Sequence, residues 1–134
     1  MAPRYFTPEE ANEALRAVRP LTEELVGHRR ALVEVQARRA ELAGQIAGNG
    51  GGIRPDTLSD ANEELEREAE ALARCINEIG ELGGQVKDLD RGLVDFPAMH
   101  GADEVLLCWQ LGEDEITHWH GADEGFAGRR PLPF

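Results

Sequence analysis

The sequence predicts an α+β fold, a long kinked antiparallel helical hairpin followed by a small antiparallel β-meander. Three observations lead to it. Ala11, Ala14, Val18, Leu21, Leu25, Leu32, Val35, Leu42 and Ile46 recur on alternating three- and four-residue steps, with His28 and Arg39 in the polar slots. Leu58, Ala61, Leu65, Leu72, Cys75, Ile79 and Leu82 keep the same step, Glu68 excepted. Between the two runs lies Gly48-Asn49-Gly50-Gly51-Gly52, a loop short and flexible enough for the two apolar seams to close in a coiled-coil-like pairing. Beyond Gly84, short apolar segments alternate with turn chemistry, the pattern of sequential strands.

Each element has a local reason. The first helix spans 7–47. Thr7 caps it, Pro8 suits the first helical position and Glu10 can return a bond to the cap. Phe6 stands where a hydrophobic staple packs on Ala11. Pro20 removes the N–H owed to the Arg16 carbonyl, yet the heptad phase runs through it, so the helix kinks rather than breaks. The second helix spans 56–82 and stops at Gly83-Gly84, a pair suited to a left-handed cap. Facing Ile46 with Leu58 sets Leu21 opposite Leu82, so Thr7 to Arg19 extends past the hairpin onto whatever follows. The meander occupies 85–120, with strands at 85–87, 93–97, 104–111 and 115–120, and Asp88 to Gly92 as a turn. The glycine- and proline-rich tail, 121–134, is either an ordered wrap or a loose end. The whole of 1–134 reads as one domain.

The chain has 134 residues and a net charge of −12, with a calculated pI of about 4.7. Such a surface repels phosphate backbones, which disfavours DNA or RNA as partners. Cys75 and Cys108 belong to no short paired motif, so a reducing interior is expected. No apolar run reads as a signal peptide or a membrane span, and the expected location is cytoplasmic. Charge follows the helices. Arg29, Arg30, Arg38 and Arg39 mark the first, and Glu63, Glu64, Glu66, Glu68 and Glu70 crowd the second. The two sets can neutralise each other across the hairpin or present an acidic face to a basic protein partner.

A second stripe lies off the seam: Val26, Val33, Ala37, Ala40 and Ala47, then Ala69, Ala73, Ile76 and Gly80. Two helices with two apolar faces each cannot bury everything in one hairpin, so a homodimer is expected. The competing account is that alanine simply raises helix propensity.

Residues able to carry chemistry cluster toward the C-terminus. In the hairpin pairing above, His28 faces Cys75, which reads as packing, and Arg39 meets Glu64 or Glu68 as a seam salt bridge. The denser group is Cys108-Trp109-Gln110-Leu111-Gly112-Glu113 with His118-Trp119-His120 and Asp123. Strand alternation places His118 and His120 on one face, a spacing that can chelate a divalent metal. A three-residue turn at Gly112 to Asp114 sets Cys108 opposite His118; a four-residue turn sets Trp109 there instead. Arg129 and Arg130 follow Gly125 to Gly128, where close backbone and a guanidinium fork can hold an anion or pair with carboxylates. Ser59, the only serine, sits at a helix start, which removes serine-based catalysis. No phosphate-loop or dinucleotide fingerprint is present.

Arg4-Tyr5-Phe6-Thr7 with Glu9, Glu10 and Ala11, then Gly92-Leu93-Val94-Asp95-Phe96-Pro97, Cys108-Trp109, Leu111-Gly112-Glu113, Trp119-His120 and Gly125-Phe126-Ala127-Gly128-Arg129 together resemble the bacterial domain-of-unknown-function 2203 family. The resemblance spans nearly the whole chain. It implies a fold and a region of interest at Asp95, Cys108, Trp109, Glu113, Trp119, His120 and Arg129, with no established activity. It does not demand histidine at His118 or His100, and Gln110 departs from the basic residue expected after Cys-Trp.

Two functions remain in play. The leading expectation is a non-catalytic binding or assembly module, homodimeric through its hairpin, with a ligand-binding patch of Asp95, Trp109, Glu113, Trp119, His120 and Arg129. The alternative is a small metal protein or metal-dependent enzyme using His120 with His118 and Cys108, or with Glu113 or Asp123. Convergence in one concave, partly apolar pocket favours the second; dispersal over a surface favours the first.

Overall fold

A computed structural model describes residues 4–49 and 55–134. It contains helix α1 (Pro8–Asn49), helix α2 (Pro55–Glu81) and strands β1 (Gln85–Asp88), β2 (Leu93–His100), β3 (Asp103–Gln110), β4 (His118–Gly121) and β5 (Arg130–Pro131), with one turn of 3₁₀ helix at Phe126–Gly128. The centre of the glycine loop lies outside the described residues, and Gly48 and Asn49 belong to the end of α1. The five strands form one sheet in chain order, each antiparallel to the next.

The start of α1 is a capping box. Glu10 N–H donates to Thr7 Oγ1 at 3.1 Å and Thr7 N–H donates to Glu10 Oε1 at 2.9 Å. Phe6 is buried, edge-on to Phe96 at 5.3 Å, so it anchors the helix start to the sheet. The helix is continuous through Pro20. Two residues later the Thr22 hydroxyl donates to Val18 O at 2.8 Å, which satisfies a buried hydroxyl. α2 ends in a Schellman motif: Gly84 N–H donates to Ile79 O and Gly83 N–H to Gly80 O, with Gly83 at φ +97°. A side chain at Gly83 would collide with the Phe6 ring.

The hairpin register differs from the seam pairing. His28 Nδ1 lies 2.7 Å from Glu68 Oε2, so His28 does not face Cys75. Glu64 pairs with Arg38 at 2.6 Å, and Arg39 donates to Asn62. Cys75 is buried, its thiol donating weakly to Glu24 Oε2 at 3.9 Å. Polar pairs therefore choose among closely similar apolar registers, a choice that periodicity cannot see.

The N-terminal part of α1 reaches past the end of α2 and lies on the sheet. Asn12 brackets Ile116, accepting from its N–H at 2.7 Å and donating to its carbonyl at 3.4 Å. Arg19 donates to the carbonyls of Glu113 and Asp114. Leu15, Val18, Leu25, Val26, Cys75 and Ile79 form one core with Val94, Phe96, Val105, Leu107 and Trp109. Val26, assigned to the second stripe by sequence, is thus covered by the chain's own sheet.

The meander also differs in detail. Residues 111–117 form a connection held by α1, so β4 begins at His118 rather than Glu115. The tail is an ordered wrap. β5 pairs with β4 through His118↔Pro131 and Trp119↔Arg130, and Leu132 N–H donates to Thr117 O. Among the described residues no helix is long and apolar enough to cross a membrane.

Candidate metal centre

Strand alternation gives the sheet two unlike faces. Val94, Phe96, Ala98, Val105, Leu107 and Trp109 turn toward the helices and join the core. Leu93, Asp95, Leu106, Cys108 and His120 turn the other way and line a cavity of about 120 Å³. That second face is bordered by the segment after β4, which contributes Ala122, Glu124, Gly125 and Phe126 to the cavity wall.

Register brings three donors together. Asp95 on β2 stands opposite Cys108 on β3, and His120 on β4 stands opposite Leu106, two residues from Cys108 on the same face. One carboxylate oxygen, the thiol sulfur and one imidazole nitrogen lie within 4.8 Å of one another, and all three residues are buried. They come from three different strands, which makes the arrangement a product of sheet pairing rather than of local sequence.

The hydrogen bonds assign the imidazole tautomer. His120 Nδ1 lies 2.9 Å from the Gly121 carbonyl, which only accepts, so Nδ1 carries a proton. Nε2 then faces Asp95 Oδ2 at 3.1 Å. A bare lone pair against a carboxylate is repulsive, so either a proton or a metal ion belongs between the two atoms. Fixing Nδ1–H by a backbone carbonyl is also the usual support of a histidine that ligates through Nε2.

Cys108 is 2 % exposed. Burial, then the negative charge of Asp95 beside it, pushes the thiol up to about 12, with Arg129 opposing. The free thiol therefore keeps its proton at neutral pH. Neither imidazole nitrogen is turned to remove it, since both are engaged elsewhere. That argues against a thiolate nucleophile with a histidine base. A divalent cation reverses this balance, because a coordinating thiol loses its proton outright.

The donor set is one thiolate, one imidazole and one carboxylate, which suits a borderline divalent ion such as Zn²⁺. Tetrahedral ligands stand about 3.5 Å apart, and the three donor atoms, all within 4.8 Å of one another, need only a small side-chain adjustment to reach that spacing. Three protein ligands would leave a fourth position for water or another small ligand.

The other residues singled out from the sequence take different places. His118 stands opposite Cys108, the register expected of the shorter turn. It shares their face, but its Nδ1 is 2.9 Å from the Thr117 hydroxyl, and Asp95 rather than His118 completes the close group. Glu113 forms a forked pair with Arg129, 2.7 and 2.9 Å, and accepts from Gln110 N–H at 2.6 Å. Arg129 also donates to Cys108 O and lies 4.6 Å from the Phe126 ring centroid, so this pair holds the tail and Phe126 over the cavity. Trp109 is fully buried on the helix side, its indole N–H donating to Glu113 O. Trp119 lies at the outer end of that same side, against His100, Phe134 and Arg130. Asp123 is exposed and does not line the cavity.

Lys87, Glu124 and Phe126 line the cavity without having been singled out for it. Asp95 carried a signal of its own. It is an acid inside the apolar run Leu93 to Phe96, and strands bury such a group only when something pairs it.

The model of the family described as "Uncharacterized conserved protein (DUF2203)" matches residues 4–132. No curated protein and no solved structure is significantly similar to the chain.

Proposed function

The chain belongs to the DUF2203 family of uncharacterized conserved proteins, and we propose that it binds one divalent transition metal, zinc-like in preference, at Asp95, Cys108 and His120. The observation that carries this reading is the buried convergence of three donors with the His120 tautomer set for ligation through Nε2. Convergence in a concave, partly apolar cavity also separates this reading from a dispersed binding patch. Both cysteines are free and buried, which supports a location in a reducing interior.

Titration of metal-free protein with Co(II) tests it. One equivalent is expected, with the intense visible bands of a tetrahedral site. His120→Ala is expected to keep the helical circular dichroism and weaken Co(II) binding by at least about 100-fold, more than loss of an outer partner costs. Unchanged binding in that variant sinks the site.

A second reading concerns assembly. Val33 is 43 % exposed and Ile76 36 %, each beside alanines of the second stripe. Arg30 and Glu41 flank the stripe on α1, and Glu66 and Glu70 flank it on α2, so Arg30 of one copy can meet Glu66 or Glu70 of another. A second copy of this chain, α1 against the partner's α2, satisfies both the apolar and the charge pattern. Native mass spectrometry at micromolar concentration is expected to find a dimer, and Val33→Glu a monomer of unchanged helicity. A wild-type monomer removes this reading.

A further inference from the structure

Resting on the metal reading, we infer that the open coordination position takes a small carboxylate, held by the metal and Lys87 together. The charge balance leads to this ligand class. Asp95 and a Cys108 thiolate neutralise a divalent ion, and His120 ligates as a neutral base, so the loaded centre carries no net charge. Lys87 then leaves the cavity one positive charge in excess.

Lys87 is the only lysine among 14 basic residues in a chain of net charge −12. It sits at the irregularity where β1 shifts register between Val86 and Asp88, opposite Val94 and Leu93. Alternation along β1 puts Lys87 on the same face as Gln85, which pairs with Asp95, so its stem lies on the cavity side of the sheet. Glu124 also lines the cavity, but its carboxylate is committed: Oε1 accepts from Gly121 N–H at 2.9 Å and lies 3.2 Å from Arg130. The remaining charge available to an incoming ligand is therefore cationic, which selects an anion.

Size and polarity narrow the anion. A cavity of about 120 Å³ holds the equivalent of roughly four waters. Leu93, Leu106, Ala122 and Phe126 make much of its wall apolar. A carboxylate with a tail of one or two carbons fits both limits. One oxygen takes the fourth metal position, the other reaches the ammonium group, and the tail meets Leu106 and Phe126.

The test uses the full chain loaded with Co(II), with acetate as probe and the visible spectrum as readout. Acetate is expected to shift the bands saturably in the millimolar range. Acetamide, which has the same shape without the charge, is expected to shift them at least about tenfold more weakly. Lys87→Gln, a change at an exposed position, is expected to leave Co(II) affinity unchanged and weaken acetate by about tenfold or more, the loss of one charge-assisted hydrogen bond. A spectrum that does not respond to acetate, or an equal response to acetamide, overturns the inference while leaving the metal site standing. A Lys87→Gln protein that binds acetate like the wild type overturns it too. Absence of Co(II) uptake overturns both readings at once.

Discussion

Cys108→Ser is expected to abolish the near-ultraviolet sulfur-to-metal band of the Co(II)-loaded protein and weaken binding by at least about 100-fold, with the fold intact. The two side chains are nearly the same size, so the packing of β3 is preserved. The new hydroxyl has Asp95 beside it as an acceptor, in place of the thiol, so no buried polar group is orphaned. A serine hydroxyl cannot be deprotonated by a divalent ion at neutral pH as a thiol can, and only the metal-bound state suffers. Circular dichroism and thermal unfolding of the metal-free variant should match the wild type. A variant that binds Co(II) normally would falsify the assignment of Cys108 as a ligand.

The same thiol gives the metal-free protein a pH signature whose sign is fixed. Its folded-state value of about 12 lies above the ordinary 9.0. The folded protein thus holds this proton more tightly than the unfolded chain does. The corresponding stability is complete below pH 9 and declines as pH rises from 9 toward 12. Cys108→Ser removes that alkaline decline, so the two proteins should diverge only above pH 9.

Trp109→Ala is expected to cost about 3–5 kcal/mol of folding stability, the range for deleting a large buried aromatic. Trp109 is fully buried, packed in the core shared by both helices and the sheet. The Arg19 guanidinium lies 5.5 Å from its ring, and the indole N–H holds the Glu113 carbonyl. Its removal therefore opens a cavity and takes from the Glu113 carbonyl one of its two donors, leaving Arg19. Chemical denaturation measures the loss. Below the new unfolding midpoint, Co(II) should still bind, because the indole is on the opposite face from Asp95, Cys108 and His120. A loss below about 1 kcal/mol, or metal binding that fails in the folded variant, would contradict the placement of Trp109 as a core residue alone.

Trp109 and Asp95 mark where sequence reading succeeds and where it stops. The residues around Cys108-Trp109 stood out because they are rich in uncommon side chains, and the strand that carries the candidate ligand Cys108 was found that way. Within the strand, however, Cys108 and Trp109 point to opposite faces, and only the core decides which face is which. His118 and His120 share a face in any regular strand. Their different fates, one beside Thr117 and one between Asp95 and the Gly121 carbonyl, go with their different neighbours in the sheet, since β5 pairs beside His118 at Pro131 and not beside His120.

By itself the sequence determined the two helices, the capping box at Thr7 and Glu10, the glycine stop after α2 and the antiparallel order of the strands. Those features depend on interactions spanning a few residues, whose chemistry is written into adjacent positions. Tertiary structure alone decided the polar register of the hairpin, the wrapping of the tail as a fifth strand and the meeting of Asp95 with Cys108 and His120. Each of these joins groups many residues apart through strand pairing or side-chain pairing, and a one-residue slip would send every such side chain to the other face.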